Sequence, residues 1–212
     1  MGDTDVDLDR LLSHIGATIT EMFDVPDGWP GNVELALIDT VLSIRARYGI
    51  SADTGVRGAI KRYKAESGRT SWDDLKALAN VEVAWLERVL ANRQKTGGVS
   101  KAQAIVSAAD RLARVGVISA EDVDRNSAEQ REAYCGTRGL GPVTWQYFLI
   151  LVGHDDVKPD TLVTRFVENA IGRKPDAKTV TRLVTDAAKR LGVAAAALDH
   201  SIWRYMSRPR RD

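Results

Sequence analysis

The stretch Cys135-Gly-Thr-Arg-Gly-Leu-Gly-Pro-Val-Thr-Trp145 predicts the end of one helix, a tight turn and the start of a second helix. Gly139 and Gly141 flank Leu140, and glycine permits both a positive φ and the close approach of another backbone. Pro142 suits the first position of the second helix, where a backbone N–H would have no helical partner. We therefore predict a helix–hairpin–helix in which Leu140 packs between the two helices.

The start of the second helix is a candidate anion site. Backbone N–H groups at a helix start point outward, and the helix dipole favours a negative charge there. A helix–hairpin–helix contacts a DNA phosphate in this way without reading a base. An ordinary tight turn between two packed helices is the alternative, and two glycines alone would favour it.

Helical periodicity extends along most of the chain, because apolar residues recur at steps of three and four. No segment of useful length alternates as a strand would, and no internal repeat is present. The pattern therefore predicts an all-α protein of roughly ten short helices. The predicted helices include segments near residues 33–48, 54–66, 72–79, 81–93, 100–115, 142–151, 160–171, 176–191 and 195–207.

Composition excludes several classes of protein. The chain has 212 residues, 44% hydrophobic residues and a formal net charge of +1, which is typical of a globular protein. A single cysteine, Cys135, excludes a disulfide framework, a cysteine-rich zinc site and an iron–sulfur cluster. The three histidines have no paired spacing, so we predict no metal site and no cofactor. The chain lacks both an apolar run long enough to cross a membrane and a secretory signal, so we expect a cytoplasmic protein without membrane contact.

Three segments, taken in order, resemble the helix–hairpin–helix DNA glycosylase superfamily, in particular endonuclease III. The segment Gly139-Leu-Gly-Pro-Val-Thr144 is followed by an apolar helix and then by Pro159-Asp160-Thr161. Upstream, Glu34-Leu-Ala-Leu-Ile-Asp-Thr-Val-Leu-Ser43 resembles the early helix of that family. Gly98-Val-Ser-Lys-Ala-Gln-Ala-Ile105 resembles the helix start that precedes its hairpin. The resemblance covers approximately residues 31–170.

This resemblance implies a fold of two helical subdomains. Residues 31–152 would form a six-helix unit that ends in the helix–hairpin–helix. Residues 1–30 and 153–212 would form a second helical subdomain from both ends of the chain. The active site would lie in the cleft between the subdomains, near Asp160.

Asp160 is the predicted catalytic residue, because the family places a catalytic aspartate one helix after the hairpin. Breaking the bond between a base and deoxyribose creates positive charge on the sugar, which a nearby carboxylate stabilises. The same carboxylate orients a water molecule for attack. The alternative is that Asp160 only caps a helix.

Two departures from the family pattern affect the predicted chemistry. Bifunctional members carry a nucleophilic lysine two residues after the second glycine of the hairpin, and that position is Val143 here. Valine cannot form a Schiff base, so we predict base removal by water without strand cleavage. The histidine that often follows the Asp-Thr pair is Leu162 in this chain.

Asp39 is a second candidate catalytic residue, since it lies in an apolar run and adenine-mismatch glycosylases have an acid in this early helix. Burial would suit it to protonating the leaving base, whereas exposure or helix capping is the alternative.

The remaining candidates are expected to contact DNA. The predicted phosphate contacts are Gly139, Gly141, Val143, Thr144 and Lys101, and the predicted base pocket or wedge residues are Ile44, Arg45, Trp145 and Tyr134. Exposed helix ends are the alternative for Arg45 and Lys101, and core packing is the alternative for the aromatic residues.

The sequence therefore leaves three candidate functions. The first is a monofunctional DNA glycosylase that acts as a monomer on double-stranded DNA, flips out a damaged, mismatched or modified base and leaves an abasic site. Such an enzyme would be cytoplasmic and nucleoid-associated when bound to DNA. The second is a non-catalytic helix–hairpin–helix protein that binds DNA phosphates. The third is a helical protein that shares only the fold and binds another ligand.

Overall fold

The computed structural model describes residues 3–23, 28–46 and 54–207, and these residues are almost entirely helical. They form eleven α-helices, one 3-10 turn and one short antiparallel ribbon. The elements in chain order are α1 Asp3–Thr18, α2 Val33–Leu42, α3 Gly55–Glu66, α4 Leu75–Ala79, α5 Val83–Leu90, β1 Lys95–Thr96, β2 Val99–Ser100, α6 Lys101–Arg114, the 3-10 turn Ala120–Asp122, α7 Ala128–Cys135, α8 Pro142–Val152, α9 Thr161–Ile171, α10 Ala177–Leu191 and α11 Ala195–Ser207. The predicted all-α class is confirmed.

The chain divides into two compact units. One consists of Gly28–His154, and the other combines Met1–Asp27 with Asp155–Asp212. Within its described residues, the 28–154 unit contains α2 to α8, which is seven α-helices where six were predicted.

The core of the 28–154 unit is built around α2 and α8. Every residue of α2 is buried, so the helix is covered on all sides and its hydrophobic pattern has no solvent face. Helix α8 is nearly as apolar, and it packs directly against α2. The hairpin that begins α8 is thereby attached to the most buried part of the unit.

The second unit packs α1 against α9 and α10, and α11 packs against the same two helices. Leu11 and Ile15 of α1 join Phe166 of α9 and Leu183 of α10 in one hydrophobic cluster. The N-terminal helix therefore supplies part of the core in which the helices following Asp160 lie.

Helix α2 ends earlier than its apolar pattern predicts. The expected helix near 33–48 stops at Leu42, and residues 43–45 form a turn in which Arg45 has a φ of 52°. A left-handed conformation at a residue other than glycine ends a helix. The last residues of that predicted helix lie outside the described part of the chain.

The ribbon of β1 and β2 occupies a region that the sequence predicts only as a loop. Gly97 and Gly98 connect the two strands, with φ values of 56° and 87°. Two positive φ values at adjacent central residues are typical of the tight turn of a two-residue β-hairpin. In the described part of the chain, none of the helices combines the length and the apolar character required to cross a membrane.

Candidate functional site

The predicted helix–hairpin–helix is present. Helix α7 ends at Cys135, Leu140 donates its backbone N–H to the carbonyl of Thr137 at 3.1 Å, and α8 begins at Pro142. Leu140 packs against the hydrophobic core, as predicted. Gly139 has a φ of 83° and needs the freedom of glycine, whereas Gly141 has extended backbone that any residue adopts.

The β1–β2 ribbon lies directly against the hairpin. The Thr96 hydroxyl donates to the Gly139 carbonyl at 2.8 Å. A Cβ atom on Gly139 would come within 2.5 Å of Thr96 Oγ1 and within 2.7 Å of the Gly97 nitrogen. Only glycine fits there, because real Cβ atoms do not approach so closely. The ribbon therefore fixes the hairpin from outside, a contact that sequence spacing does not predict.

Two backbone N–H groups of the hairpin are available to an anion. The N–H of Gly141 is not one of them, because it donates to Thr144 Oγ1 at 2.9 Å, and the Thr144 hydroxyl donates back to the Gly141 carbonyl. The N–H groups of Val143 and Thr144 lie in the first turn of α8, where no side chain of the described residues caps them. The predicted contact through the Gly141 N–H is therefore contradicted, whereas the contacts of Gly139, Val143 and Thr144 stay predictions.

The structure contradicts the predicted phosphate contact of Lys101. Its side chain is 1% exposed, and its ammonium donates to the carbonyls of Leu42 and Ile44 and to Gln94 Oε1, at 2.7–2.8 Å. All three N–H groups are therefore used inside the protein. Burial lowers the pKa of Lys101 to about 8.

Tyr134 and Trp145 belong to the core and do not form a base pocket. They are 0% and 2% exposed and form an aromatic cluster with Phe148, with ring centroids 5.3–5.8 Å apart. The reason is that α7 and α8 turn these faces toward each other, and packing them removes a large apolar area from water. The predicted stacking of a DNA base on either ring is therefore wrong, and the core alternative holds.

Ile44 and Arg45 lie in the turn that follows α2. Ile44 is half-buried and packs against the core, whereas Arg45 is exposed. Among the described residues, Arg45 forms no hydrogen bond and no ion pair. A free guanidinium on a firmly held turn can contact a nucleic acid.

Trp29 and Ser43, both among the described residues, hold Asp39 inside the 28–154 unit. Asp39 is 9% exposed, its Oδ2 accepts a hydrogen bond from Trp29 Nε1 at 3.0 Å, and its Oδ1 accepts one from Ser43 Oγ at 2.9 Å. The carboxylate is therefore buried and does not face open solvent. Through Ser43 it is connected to the turn that carries Arg45.

Asp160 is the N-cap of α9. Its Oδ1 accepts hydrogen bonds from the backbone N–H groups of Leu162 and Val163, at 2.9 and 3.0 Å. Its side chain is half-buried, and no described residue donates a hydrogen bond to Oδ2. The capping role and a chemical role are compatible, because the capping bonds use only one of the two carboxylate oxygens.

Asp199 on α11 is a buried acid that is not among the sequence-predicted site residues. It is 8% exposed, and its Oδ1 accepts a hydrogen bond from the backbone N–H of Lys158 at 3.2 Å. Burial, with the nearby negative charge of Asp160 as the second cause, raises the pKa of Asp199 well above its usual range. The signal in the sequence was a lone aspartate in the run Ala195-Ala-Ala-Leu-Asp-His-Ser-Ile202, where an aspartate shares a helix with small and apolar residues.

No metal centre is evident: the described ranges contain no group of three or more His, Cys, Asp or Glu side chains placed to hold an ion.

One family profile matches most of the chain. The profile of a family described as a domain of unknown function, DUF8548, matches residues 9–207. Comparison with curated protein sequences gives no match.

Solved structures of DNA glycosylases share the fold at low sequence identity. The 3-methyladenine DNA glycosylase of H. pylori, bound to 1,N6-ethenoadenine, is similar with a TM-score of 0.61 and 14% identity, over 97% of this chain and 95% of that chain. A thermostable thymine-DNA glycosylase gives 0.57 and 17%, over 99% and 89%. The 8-oxoguanine DNA glycosylase of Thermotoga maritima gives 0.54 and 18%, over 97% and 98%. The chain therefore has the all-α fold of DNA glycosylases.

Proposed function

The chain belongs to the DUF8548 family, and from its fold and the geometry of Asp160 we propose that it is a monofunctional DNA glycosylase of the helix–hairpin–helix superfamily. It acts as a monomer on double-stranded DNA and removes a base by hydrolysis. The observation that carries this proposal is Asp160 itself. It follows the hairpin by one helix, and the start of α9 fixes one carboxylate oxygen, while no described residue donates a hydrogen bond to the other.

In the proposed mechanism, the target base leaves the helical stack before it reacts, since its glycosidic bond is inaccessible in a duplex. The N–H groups of Val143 and Thr144 bind a backbone phosphate, and Arg45 fills the gap that the base leaves. As the bond between base and sugar breaks, Asp160 stabilises the positive charge on the sugar and orients water toward it. The products are a free base and an abasic site.

Two features support hydrolysis without strand cleavage. The position that carries the nucleophilic lysine in bifunctional members is Val143. Lys101, whose burial lowers its pKa, holds its ammonium against three oxygen acceptors and has no path to a sugar. A Schiff base needs an accessible neutral amine, and neither position offers one.

The similar glycosylases are named for different bases, namely 3-methyladenine, thymine and 8-oxoguanine. The fold therefore accommodates different bases, and the target base of this chain is determined by experiment. A panel of duplexes, each with one lesion, mismatch or modified base, identifies it. Each reaction is divided, and one half is heated in alkali to cleave abasic sites.

The matched variants for this experiment are Asp160→Asn and Asp176→Asn. Both replace an N-cap aspartate by a residue that still caps a helix, and Asp176 caps α10 through Thr179 N at 2.7 Å. We expect cleavage after alkali only, abolished by Asp160→Asn and retained by Asp176→Asn. Equal effects of the two variants would reduce Asp160 to a helix cap and refute the proposed catalysis.

A non-catalytic DNA-binding protein is the second candidate, and the capping bonds of Asp160 are the observation that favours it. In that case no duplex of the panel is cleaved. Binding would still weaken with salt, and Asp160→Asn would leave it intact.

A further inference from the structure

Lys101 connects two segments that are distant in sequence. It is the first residue of α6, and its ammonium reaches the carbonyls of Leu42 and Ile44 across the end of α2. The third N–H of the ammonium donates to Gln94 Oε1, so each of the three N–H groups has an acceptor. A buried ammonium persists only where its donors are satisfied in this way.

These bonds shape the turn after α2. The last carbonyls of a helix have no helical N–H partner, and Lys101 supplies partners on both sides of Ser43. Drawing Leu42 O and Ile44 O toward one nitrogen requires the chain to fold back, and Arg45 takes the left-handed conformation. Ser43 is fixed independently by its hydroxyl bond to Asp39.

We infer that Lys101 is a positioning residue that holds the turn 43–45 so that Arg45 is presented to DNA. The inference rests on the proposed function, because Arg45 acts on the gap left by an extruded base. Lys101 itself does not touch DNA: its side chain is buried and its donors are occupied. Lys101 and Arg45 therefore act as one unit in base extrusion.

The test compares Lys101→Met, Lys101→Arg and Arg45→Ala with Lys76→Met, which removes an exposed lysine from α4. The first readout is hydrogen exchange of the amides of Ser43, Ile44 and Ala46, which are bonded within the turn region. We expect Lys101→Met to accelerate their exchange at least tenfold, Lys101→Arg to accelerate it less, and Lys76→Met to leave it unchanged. Unchanged exchange in Lys101→Met would overturn the inference.

The second readout separates positioning from phosphate binding. Loss of a phosphate contact lowers the slope of log K against log salt by about one. We expect Lys101→Met to leave that slope and the affinity for an undamaged duplex unchanged. A slope reduced by about one would mean that Lys101 contacts DNA, and the inference would fail.

The third readout is base extrusion, followed by the fluorescence of 2-aminopurine in a duplex. We expect Lys101→Met and Arg45→Ala each to slow extrusion at least tenfold, and the double variant to be no slower than either alone. Additive losses would show that the two residues act separately and would overturn the inference.

If Lys101→Met does not fold, Gln94→Met takes its place, because it removes one of the three acceptors and leaves the lysine present. It is expected to accelerate exchange in the turn by a smaller factor, and unchanged exchange would again overturn the inference.

Failure of the inference about Lys101 can be distinguished from failure of the proposed function. Failure of every duplex in the excision panel refutes the glycosylase, whereas hydrogen exchange and salt dependence decide the role of Lys101 without any cleavage.

Discussion

Gly97 of the β1–β2 turn and Gly139 of the helix–hairpin–helix are in direct backbone contact. A Cβ on Gly97 would come within 2.5 Å of the Gly139 nitrogen, and a Cβ on Gly139 would come within 2.7 Å of the Gly97 nitrogen. Each glycine thus leaves room for the backbone of the other. The contact joins the ribbon to the element that we propose binds a DNA phosphate.

Replacing either glycine by alanine should therefore displace the hairpin. We expect Gly97→Ala and Gly139→Ala each to lower the free energy of unfolding by about 2–4 kcal/mol, from the clash and the positive φ together. DNA affinity should fall in parallel, because the donors of Val143 and Thr144 move with the hairpin. Urea unfolding and duplex binding measure the two effects.

Gly98 provides the control, since it also has a positive φ but nothing lies within 4 Å of its Cβ position. Gly98→Ala should cost only about 1 kcal/mol and leave DNA affinity unchanged. Equal losses at Gly97 and Gly98 would mean that the backbone contact contributes nothing beyond the strain of the turn.

The elements that sequence reasoning predicted well are those with strong local signals. Helix α8 was predicted near 142–151 and extends over Pro142–Val152, because proline, the preceding glycine and an apolar run all indicate the same helix. The class of the fold followed from periodicity, which is a local property. The catalytic role of Asp160 stays a prediction, and it rests on the position of this residue after the hairpin, which carries the resemblance to a family.

The features that were missed depend on tertiary contacts. The sequence predicts that Lys101 begins a helix, but no neighbouring residue indicates that its ammonium binds the carbonyl of Leu42 at the end of α2. Tyr134 and Trp145 were assigned to a base pocket because aromatic residues suit both a core and a stacking surface. Only the packing of α7 against α8 distinguishes these uses.

A buried acid supports the centre of the 28–154 unit. Glu34 is fully buried and accepts hydrogen bonds from the Tyr63 hydroxyl at 2.6 Å, from Arg69 Nη1 at 2.9 Å and from the Asp74 N–H at 3.1 Å. Glu34→Ala leaves the arginine and the phenol without their acceptor, and we expect it to cost about 3–5 kcal/mol. Tyr63→Phe removes one donor to Glu34 and one of the acceptors of Arg69, whose bonds to Glu34 remain, and should cost about 1 kcal/mol. Urea unfolding tests both, and a near-neutral Glu34→Ala would contradict the network.

Because we propose that the protein has no lyase activity, we expect that no covalent intermediate between the protein and DNA can be trapped. Incubation with an abasic duplex and borohydride should leave no covalent complex between protein and DNA, because Val143 cannot form a Schiff base and Lys101 is enclosed. Endonuclease III, whose covalent intermediate with DNA has been trapped, serves as the control protein. A trapped complex lost in Lys101→Met would identify that lysine as the nucleophile and refute the hydrolytic mechanism.

The buried carboxyl of Asp199 predicts a specific dependence of stability on pH. Because its pKa is raised in the folded protein, mainly by burial and also by Asp160, the folded state binds more protons than the unfolded state once pH exceeds the ordinary aspartate value. The contribution of Asp199 to stability therefore decreases as pH rises through the raised pKa. Asp199→Asn keeps an oxygen for the Lys158 N–H and removes the buried charge, so its Tm should exceed that of the wild type at pH 8 and approach it near pH 4.

Asp176→Asn should show the opposite sign. Hydrogen bonds from Thr179 lower the pKa of the exposed Asp176, so its carboxylate stabilises the fold at neutral pH and loses that effect in acid. The variant should be less stable than the wild type at pH 7, and the difference should disappear as pH falls through the lowered pKa. Parallel melting curves between pH 3 and pH 8 compare the two variants.

If Asp199→Asn were destabilising at pH 8, Asp199 would be an ionised and well-compensated acceptor, and the cause assigned to its raised pKa would be wrong.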